Sequence, residues 1–419
     1  MSDLSEFKPP KPNKAIIGLC KLLFPVYAKF VAHLTFEFVE GSDHPLEVLK
    51  GKPAAVLIDH ADKQDPLVVI ALAKHMRDSV YCAVAREVFD WHHGILGWFF
   101  QRFGCYSVNR GSPDFRSMHT TQRILTHTDA KLVLFPEGEV TGDDQSVHEI
   151  NRSLMHILLN MQNEIAKSDS PRSIWVLPVG VSYRLETNLE SSVNKTLKTV
   201  ERHLSIRKNR DKDPATRAKL AMEALLDGLA RHYKWTLAKE QPQHAQVLSL
   251  AQHICERISK HTGGEPGEKP STEQFLCSLR NHVVEELGAR KNHSPHHQKF
   301  RRAPSNSYRE FLHDLDRVER LLIVQRVLQR PTSPIQICRI VDFLESELCG
   351  RMTSKGRQCA SVFIGKPIEV LPHLQLYKSC KNSAIDELTA CIRDQLQSAL
   401  DNSHGEQAYV QASAPLLHI

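Results

Sequence analysis

The run AAVLI at residues 54–58 is apolar without a break, and it is followed closely by Asp65-Pro66 and a second apolar stretch, Leu67 to Ala73. A short apolar run bounded by polar residues reads as a buried strand. Asp suits a helix N-cap and Pro the first helical position, where its missing N–H leaves nothing unpaired. The stretch therefore predicts a strand, the loop DHADKQD, and a helix over Pro66 to Arg77. The same grammar recurs downstream. Strands are predicted over Leu34 to Val39, Val80 to Ala85, Cys105 to Val108, Lys131 to Phe135 and Ile174 to Tyr183, the last interrupted by Pro178. Helices are predicted from Ser112-Pro113 to about Thr126 and from Ile150 to Ala166. Strands that alternate with helices specify an α/β fold with a mixed, largely parallel sheet flanked by helices.

Beyond Arg184 the pattern changes. Leu189, Val193, Leu197, Val200 and Leu204 recur at helical spacing, and further helical stripes follow without a strand until about residue 357. Strand character returns in Ala360 to Ile364, ahead of Gly365-Lys366-Pro367, and a closing helix spans Ser383 to Leu400. The expected organisation is an N-terminal interfacial helix region at 1–33, one α/β domain at 34–188 plus 358–400, a large all-helical insertion at 189–357, and a flexible tail at 401–419.

Among 419 residues, 54 Lys and Arg face 48 Asp and Glu, a formal charge of +6. So small an excess favours an anionic surface such as a membrane and gives no ground for a nucleic-acid partner. Ten scattered cysteines without a CxxC pair read as free thiols in a reducing cytosol. His293, His296 and His297 have no convincing ligand partner, so no metal is assigned. The basic loop Lys291 to Arg302 is a candidate contact for anionic lipid head groups. The stretch Ala15 to Ala32 contains Lys21, Pro25 and Lys29 and is too polar to span a bilayer. Lys14, Lys21, Lys29 and His33 share one arc of a helix, with Leu22, Leu23, Phe24, Phe30 and Val31 elsewhere, as in a helix lying in a membrane interface. The competing reading packs that helix on the protein's own core.

Four blocks follow successive strands: His60 with Asp65; GCYSVNRG, from Gly104 to Gly111; FPEG, from Phe135 to Gly138; and VLPVGV, around Pro178. A neutral histidine is a competent base near pH 7, and a carboxylate beside it fixes its tautomer and stabilises the imidazolium. In order and context the four blocks resemble the motifs of the glycerolipid acyltransferases, the family of glycerol-3-phosphate and 1-acylglycerol-3-phosphate acyltransferases.

That resemblance implies O-acyl transfer in phospholipid biosynthesis, from acyl-CoA or acyl-carrier protein to a glycerolipid hydroxyl, with 1-acylglycerol-3-phosphate the leading acceptor. It implies His60 as general base and Asp65 as its orienting partner. It also implies an acceptor site from Arg110, Gly111, Glu137 and Gly138, with Pro178 in a supporting wall. No cofactor is implied beyond the acyl donor as co-substrate. The implied location is cytoplasmic, peripheral on the inner face of a membrane. Alternatives are another lysophospholipid or hydroxylated lipid as acceptor, or a non-catalytic lipid-binding scaffold. Asp59 stands where the family commonly has Asn. Facing His60, it would raise the imidazole pKa; facing solvent, it would do little.

Overall fold

The computed structural model describes residues 7–78, 80–110, 114–169, 171–186, 190–206, 211–263, 271–291, 305–330 and 333–404. The chain forms two compact units. One comprises Phe7–Val108, Asp114–Glu186 and Arg357–Ile419; the other comprises Met1–Glu6, Asn109–Pro113 and Thr187–Gly356.

The first unit is built on β1 (Leu34–Phe38), β2 (Ala54–Ile58), β3 (Val80–Ala85), β4 (Cys105–Val108), β5 (Lys131–Leu134), β6 (Trp175–Leu185), β7 (Gln358–Ile364) and β8 (Ile368–Glu369). These make one sheet in the order β1-β7-β6-β2-β5-β3-β4, with β8 also paired to β6. Pairing is parallel throughout except where β7 and β8 run antiparallel to β6. Central β2 is buried at all five positions, as an apolar strand covered on both faces must be.

The helices of this unit are α1 (Lys14–Phe30), α2 (Asp43–Val48), α3 (Asp65–Met76), α4 (Ile95–Phe103), α5 (Phe115–His127) and α6 (Arg152–Ala166). After the second unit come α13 (Leu374–Ser379) and α14 (Lys381–Ser403). A single core joins the inward residues of β2, β5 and β6 to α5, α6 and α14 through Leu57, Leu132, Leu125, Leu158, Ile392 and Leu396. Helix α14 crosses β6 so closely that a Cβ on Gly180 would lie 2.2 Å from the backbone of Ala399, which only glycine avoids.

Strand β6 is not interrupted at Pro178. Its odd-numbered N–H groups point toward β2, as Trp175 N to Pro53 O shows, so residue 178 faces the other side. There β7 has ended at the Val179 register and β8 begins at Val176. The missing N–H falls in that gap and no ladder bond is lost.

The start of α5 also differs from the sequence reading. Ser112 and Pro113 lie outside the described residues, and the cap is Asp114, whose carboxylate accepts from Ser117 N at 3.0 Å. Helix α4, unassigned from sequence, forms from the aromatic stretch ILGWFFQRF.

Helix α1 packs on the protein's own core, as one of the two readings of the N-terminal segment expected. Phe24 and Ala28 pack on Ala71, and the Phe24 ring lies 5.4 Å from that of Phe36. Phe24 therefore belongs to the interior, where burying such a side chain contributes roughly 1.5–3 kcal/mol. Lys21, expected on a polar face, donates to Ala73 O at 2.8 Å. The opposite face, with Leu19, Leu22, Leu23, Val26 and Phe30, stays exposed.

The second unit is helical among its described residues: α7 (Glu190–His203), α8 (Pro214–Tyr233), α9 (Gln243–Thr262), α10 (Thr272–Lys291), α11 (Ser305–Leu328) and α12 (Pro334–Cys349). Leu226, Leu250, Ile254, Leu279, Leu315, Leu321 and Leu344 pack in its own core. Residues 292–302 of the basic loop, Gly111, and residues 405–419 of the tail lie outside the described residues.

Candidate active site

His60 lies two residues past the end of β2, at the carboxyl end of the parallel strands, where open α/β sheets place their ligands. Its backbone is held on both sides. Its N–H donates to Glu137 Oε2 at 2.8 Å, and its carbonyl accepts from Thr141 N at 2.7 Å and Thr141 Oγ1 at 3.1 Å. Phe135 stacks on the imidazole, with centroids 4.0 Å apart and planes 23° from parallel. Nδ1 lies 2.7 Å from Asp65 Oδ2. The ring remains partly open to solvent, and Nε2 has no hydrogen-bond partner among the described residues.

Asp65 does not cap its helix. Gln64 holds the N-cap position, and the Asp65 carboxylate turns back to accept from His60 Nδ1 and, at 2.9 Å, from Asp62 N. Its other oxygen, Oδ1, accepts the Tyr183 hydroxyl. Asp65 is fully buried, so these donors replace the water an exposed carboxylate would hold. A carboxylate on Nδ1 places the ring proton there and leaves Nε2 with its lone pair outward, the arrangement of a general base.

The FPEG turn acts on the histidine. Both oxygens of Glu137 accept backbone N–H groups, Oε2 from His60 and Oε1 from His148 at 2.7 Å. Burial outweighs those bonds and raises the Glu137 carboxyl above its ordinary pKa. Gly138 closes the turn at φ 77°, in the left-handed region that glycine enters without strain. In the following loop the His148 ring pairs with buried Asp143 at 3.0 Å. Gln397 of α14 grips the same loop, accepting from Val147 N at 2.8 Å and donating to Gln145 O at 3.0 Å.

Asp59 resolves into neither outcome posed by the sequence. Only 2 % exposed, it extends the β2 ladder by accepting Val181 N at 2.8 Å through Oδ1. Its Oδ2 has no partner among the described residues. Burial first, then the nearby charges of Asp65 and Glu137, holds its carboxyl well above the usual carboxylate range. A neutral carboxylic acid presents a carbonyl-like acceptor to Val181, which is what an Asn amide would do. It brings no negative charge to His60 while it keeps its proton.

Residues 40–182 match the family model described as Acyltransferase. This part of the chain is an acyltransferase domain. No curated protein matches the chain. The acyltransferase domain joins His60, Asp65 and Glu137 through one set of hydrogen bonds, and Gly138 follows Glu137 in the turn, its N–H donating to Phe135 O at 3.1 Å. Pro178 lies within the sheet at the Leu57 register, its carbonyl accepting Gly365 N at 2.8 Å. Arg110 groups with the helical unit, where its guanidinium is 3.4 Å from Glu319 and its carbonyl accepts from Asn281 at 2.5 Å.

Sequence reasoning passed over Thr141, His148, Tyr183 and Gln397. His148 reaches the site through its backbone N–H, which carries no residue signature, and Thr141 reaches it through both its N–H and its hydroxyl. Tyr183 had one available signal: a polar-tipped aromatic at the end of an otherwise buried strand must find a partner for its hydroxyl.

Proposed function

We propose that the acyltransferase domain moves a fatty acyl group from acyl-CoA or acyl-carrier protein to the hydroxyl of a glycerolipid, with His60 as general base. The observation that carries this reading is the 2.7 Å contact from His60 Nδ1 to a buried carboxylate, with Nε2 left open. In the reaction, Nε2 takes the proton of the acceptor hydroxyl as its oxygen attacks the thioester carbonyl. Asp65 stabilises the imidazolium so formed, and the imidazolium returns its proton to the departing thiolate. The acceptor is itself the nucleophile, so no acyl-enzyme is required.

For the acceptor we favour 1-acylglycerol-3-phosphate, in phospholipid biosynthesis. Arg110 is the residue assigned to its phosphate on sequence grounds, since a guanidinium binds phosphate through two parallel N–H bonds. Another lysophospholipid is the alternative. We place the enzyme on the cytoplasmic face of a membrane as a peripheral protein. No helix among the described residues is long and apolar enough to cross one. The exposed stripe of α1, with Leu22 73 % and Phe30 67 % exposed, supports surface attachment, as do the exposed Ile95 and Trp98 of the adjoining α4.

Acyl transfer from labelled acyl-CoA and acyl-carrier protein, measured across lysophospholipid and glycerol-phosphate acceptors, tests the assignment. Wild type should label one acceptor class and His60→Ala should do so only at a small residual rate. Equal turnover by the two proteins would remove His60 from the chemistry.

A further inference from the structure

The His60–Asp65 pair accounts for only one of the two Asp65 oxygens. Oδ2 serves His60 Nδ1 and Asp62 N, while Oδ1 receives the hydroxyl of Tyr183, a residue 118 positions away on β6. We propose that Tyr183 is a positioning residue for acyl transfer, one that fixes the Asp65 carboxylate and sets how strongly it draws a proton onto His60. The inference rests on the reading of His60 as general base given above.

The geometry supports a rigid donor. Tyr183 is 5 % exposed, and its backbone is pinned in β6 by antiparallel pairing with Ala360 of β7. Its N–H donates to Asp144 Oδ2 at 3.2 Å. Asp65, by contrast, sits in the first turn of α3, where its side chain is free to turn about its own bonds unless both oxygens are held. With Tyr183 on Oδ1, only one rotation about the last side-chain bond leaves Oδ2 facing both Nδ1 and Asp62 N. Burial, followed by the charges of Asp65 and Asp62, pushes the phenol well above its ordinary pKa, so it stays a donor at every pH where the enzyme works.

A donor on Oδ1 draws electron density from the carboxylate and moderates its pull on the imidazolium. Losing that donor leaves a more basic carboxylate and a more stable imidazolium. The acid limb of kcat/KM should then move to higher pH, because more acid-side enzyme holds His60 protonated and unable to act as base. The other groups around the pair stay in place: Asp59 after β2, Asp62 in the following loop, and Glu137, Asp144 and the Asp143–His148 pair after β5. The shift therefore reports the phenol alone.

The test uses the full chain with Tyr183→Phe and, separately, with fluorotyrosine at position 183, which keeps the side chain's shape and donates more strongly. Tyr183→Phe should lower kcat by on the order of tenfold with KM little changed and shift the acid limb to higher pH, whereas fluorotyrosine should shift it to lower pH. In a His60→Ala background, Tyr183→Phe should cost nothing further, since the phenol acts through the imidazole. An unmoved acid limb in both substituted proteins, or the same loss with and without His60, overturns the proposal. Full turnover by His60→Ala alone would instead overturn the general-base reading, so the two failures are distinguishable. If Tyr183→Phe does not fold, the fluorotyrosine protein decides the matter by the direction of its shift.

Discussion

Asp59→Asn isolates one buried proton and makes its energetic effect measurable. In the unfolded chain an Asp titrates near pH 3.9. In the folded protein burial, Asp65 and Glu137 hold the Asp59 carboxyl well above that value. Between the two values the folded state binds one proton more than the unfolded state. Stability contributed by this group is therefore fully present below the unfolded pKa and is lost as pH rises through the folded one, at about 1.4 kcal/mol per pH unit. Asn cannot titrate, yet it offers an oxygen to Val181 N in place of the bond that Asp59 makes at 2.8 Å. The variant should melt higher than wild type, and the gap should widen as pH is raised from about 5 to about 8. At roughly 2–4 °C per kcal/mol for a domain of this size, the widening is about 3–5 °C per pH unit until the folded pKa is passed. Thermal melts followed by circular dichroism at several pH values measure it. A gap that stays constant across that range would show that Asp59 is ionised when folded, and the neutral-acid account would be wrong. The acid limb of the pH–rate profile should not move in this variant, because a neutral Asp59 exerts no field on His60.

Glu137→Gln puts an amide NH2 against one of two backbone N–H donors, from His60 or His148, and should cost about 1–3 kcal/mol of stability. In steady-state assays its kcat should fall while KM holds; a rise in KM alone would place Glu137 on the acceptor instead. Gln397→Ala frees Val147 N and Gln145 O, loosening the loop that carries Thr141. Hydrogen exchange over residues 139–150 should speed up and kcat should drop, and unchanged exchange would refute the brace. Leu22→Glu with Phe30→Glu removes two exposed apolar anchors of α1, so binding to anionic vesicles in a sedimentation assay should weaken at least about tenfold with the fold intact. Retained binding would move the membrane contact elsewhere.

Much of the α/β framework could be read from local pattern. Ala54–Ile58, Val80–Ala85 and Cys105–Val108 form strands at the residues their apolar runs marked, because a run bounded by turn residues has few other ways to bury itself. The misreadings share one cause, a partner distant in sequence. Asp65 looked like a cap because its true donors include a tyrosine from β6. Pro178 looked like a break because the gap between β7 and β8 that tolerates it is made by residues almost two hundred positions later. Asp59 looked like an added charge because burial, which decides its protonation, is a property of the packed sheet. Helix α4 is only nine residues long, Ile95–Phe103, too few turns for its apolar stripe to stand out in the sequence. Within the site, His60, Asp65 and the FPEG turn were legible as side-chain motifs, whereas the backbone bonds that hold His60 in place were not.

The central claim is that the open nitrogen of His60 takes a proton in the chemical step. His60→Gln tests it most directly: a glutamine amide keeps a hydrogen bond to Asp65 but carries no basic nitrogen. Measured by single-turnover acyl transfer at saturating acceptor, with the melting temperature checked in parallel, the rate should fall by on the order of 10²–10⁴-fold. A rate within about threefold of wild type in a folded variant would contradict general-base catalysis by His60.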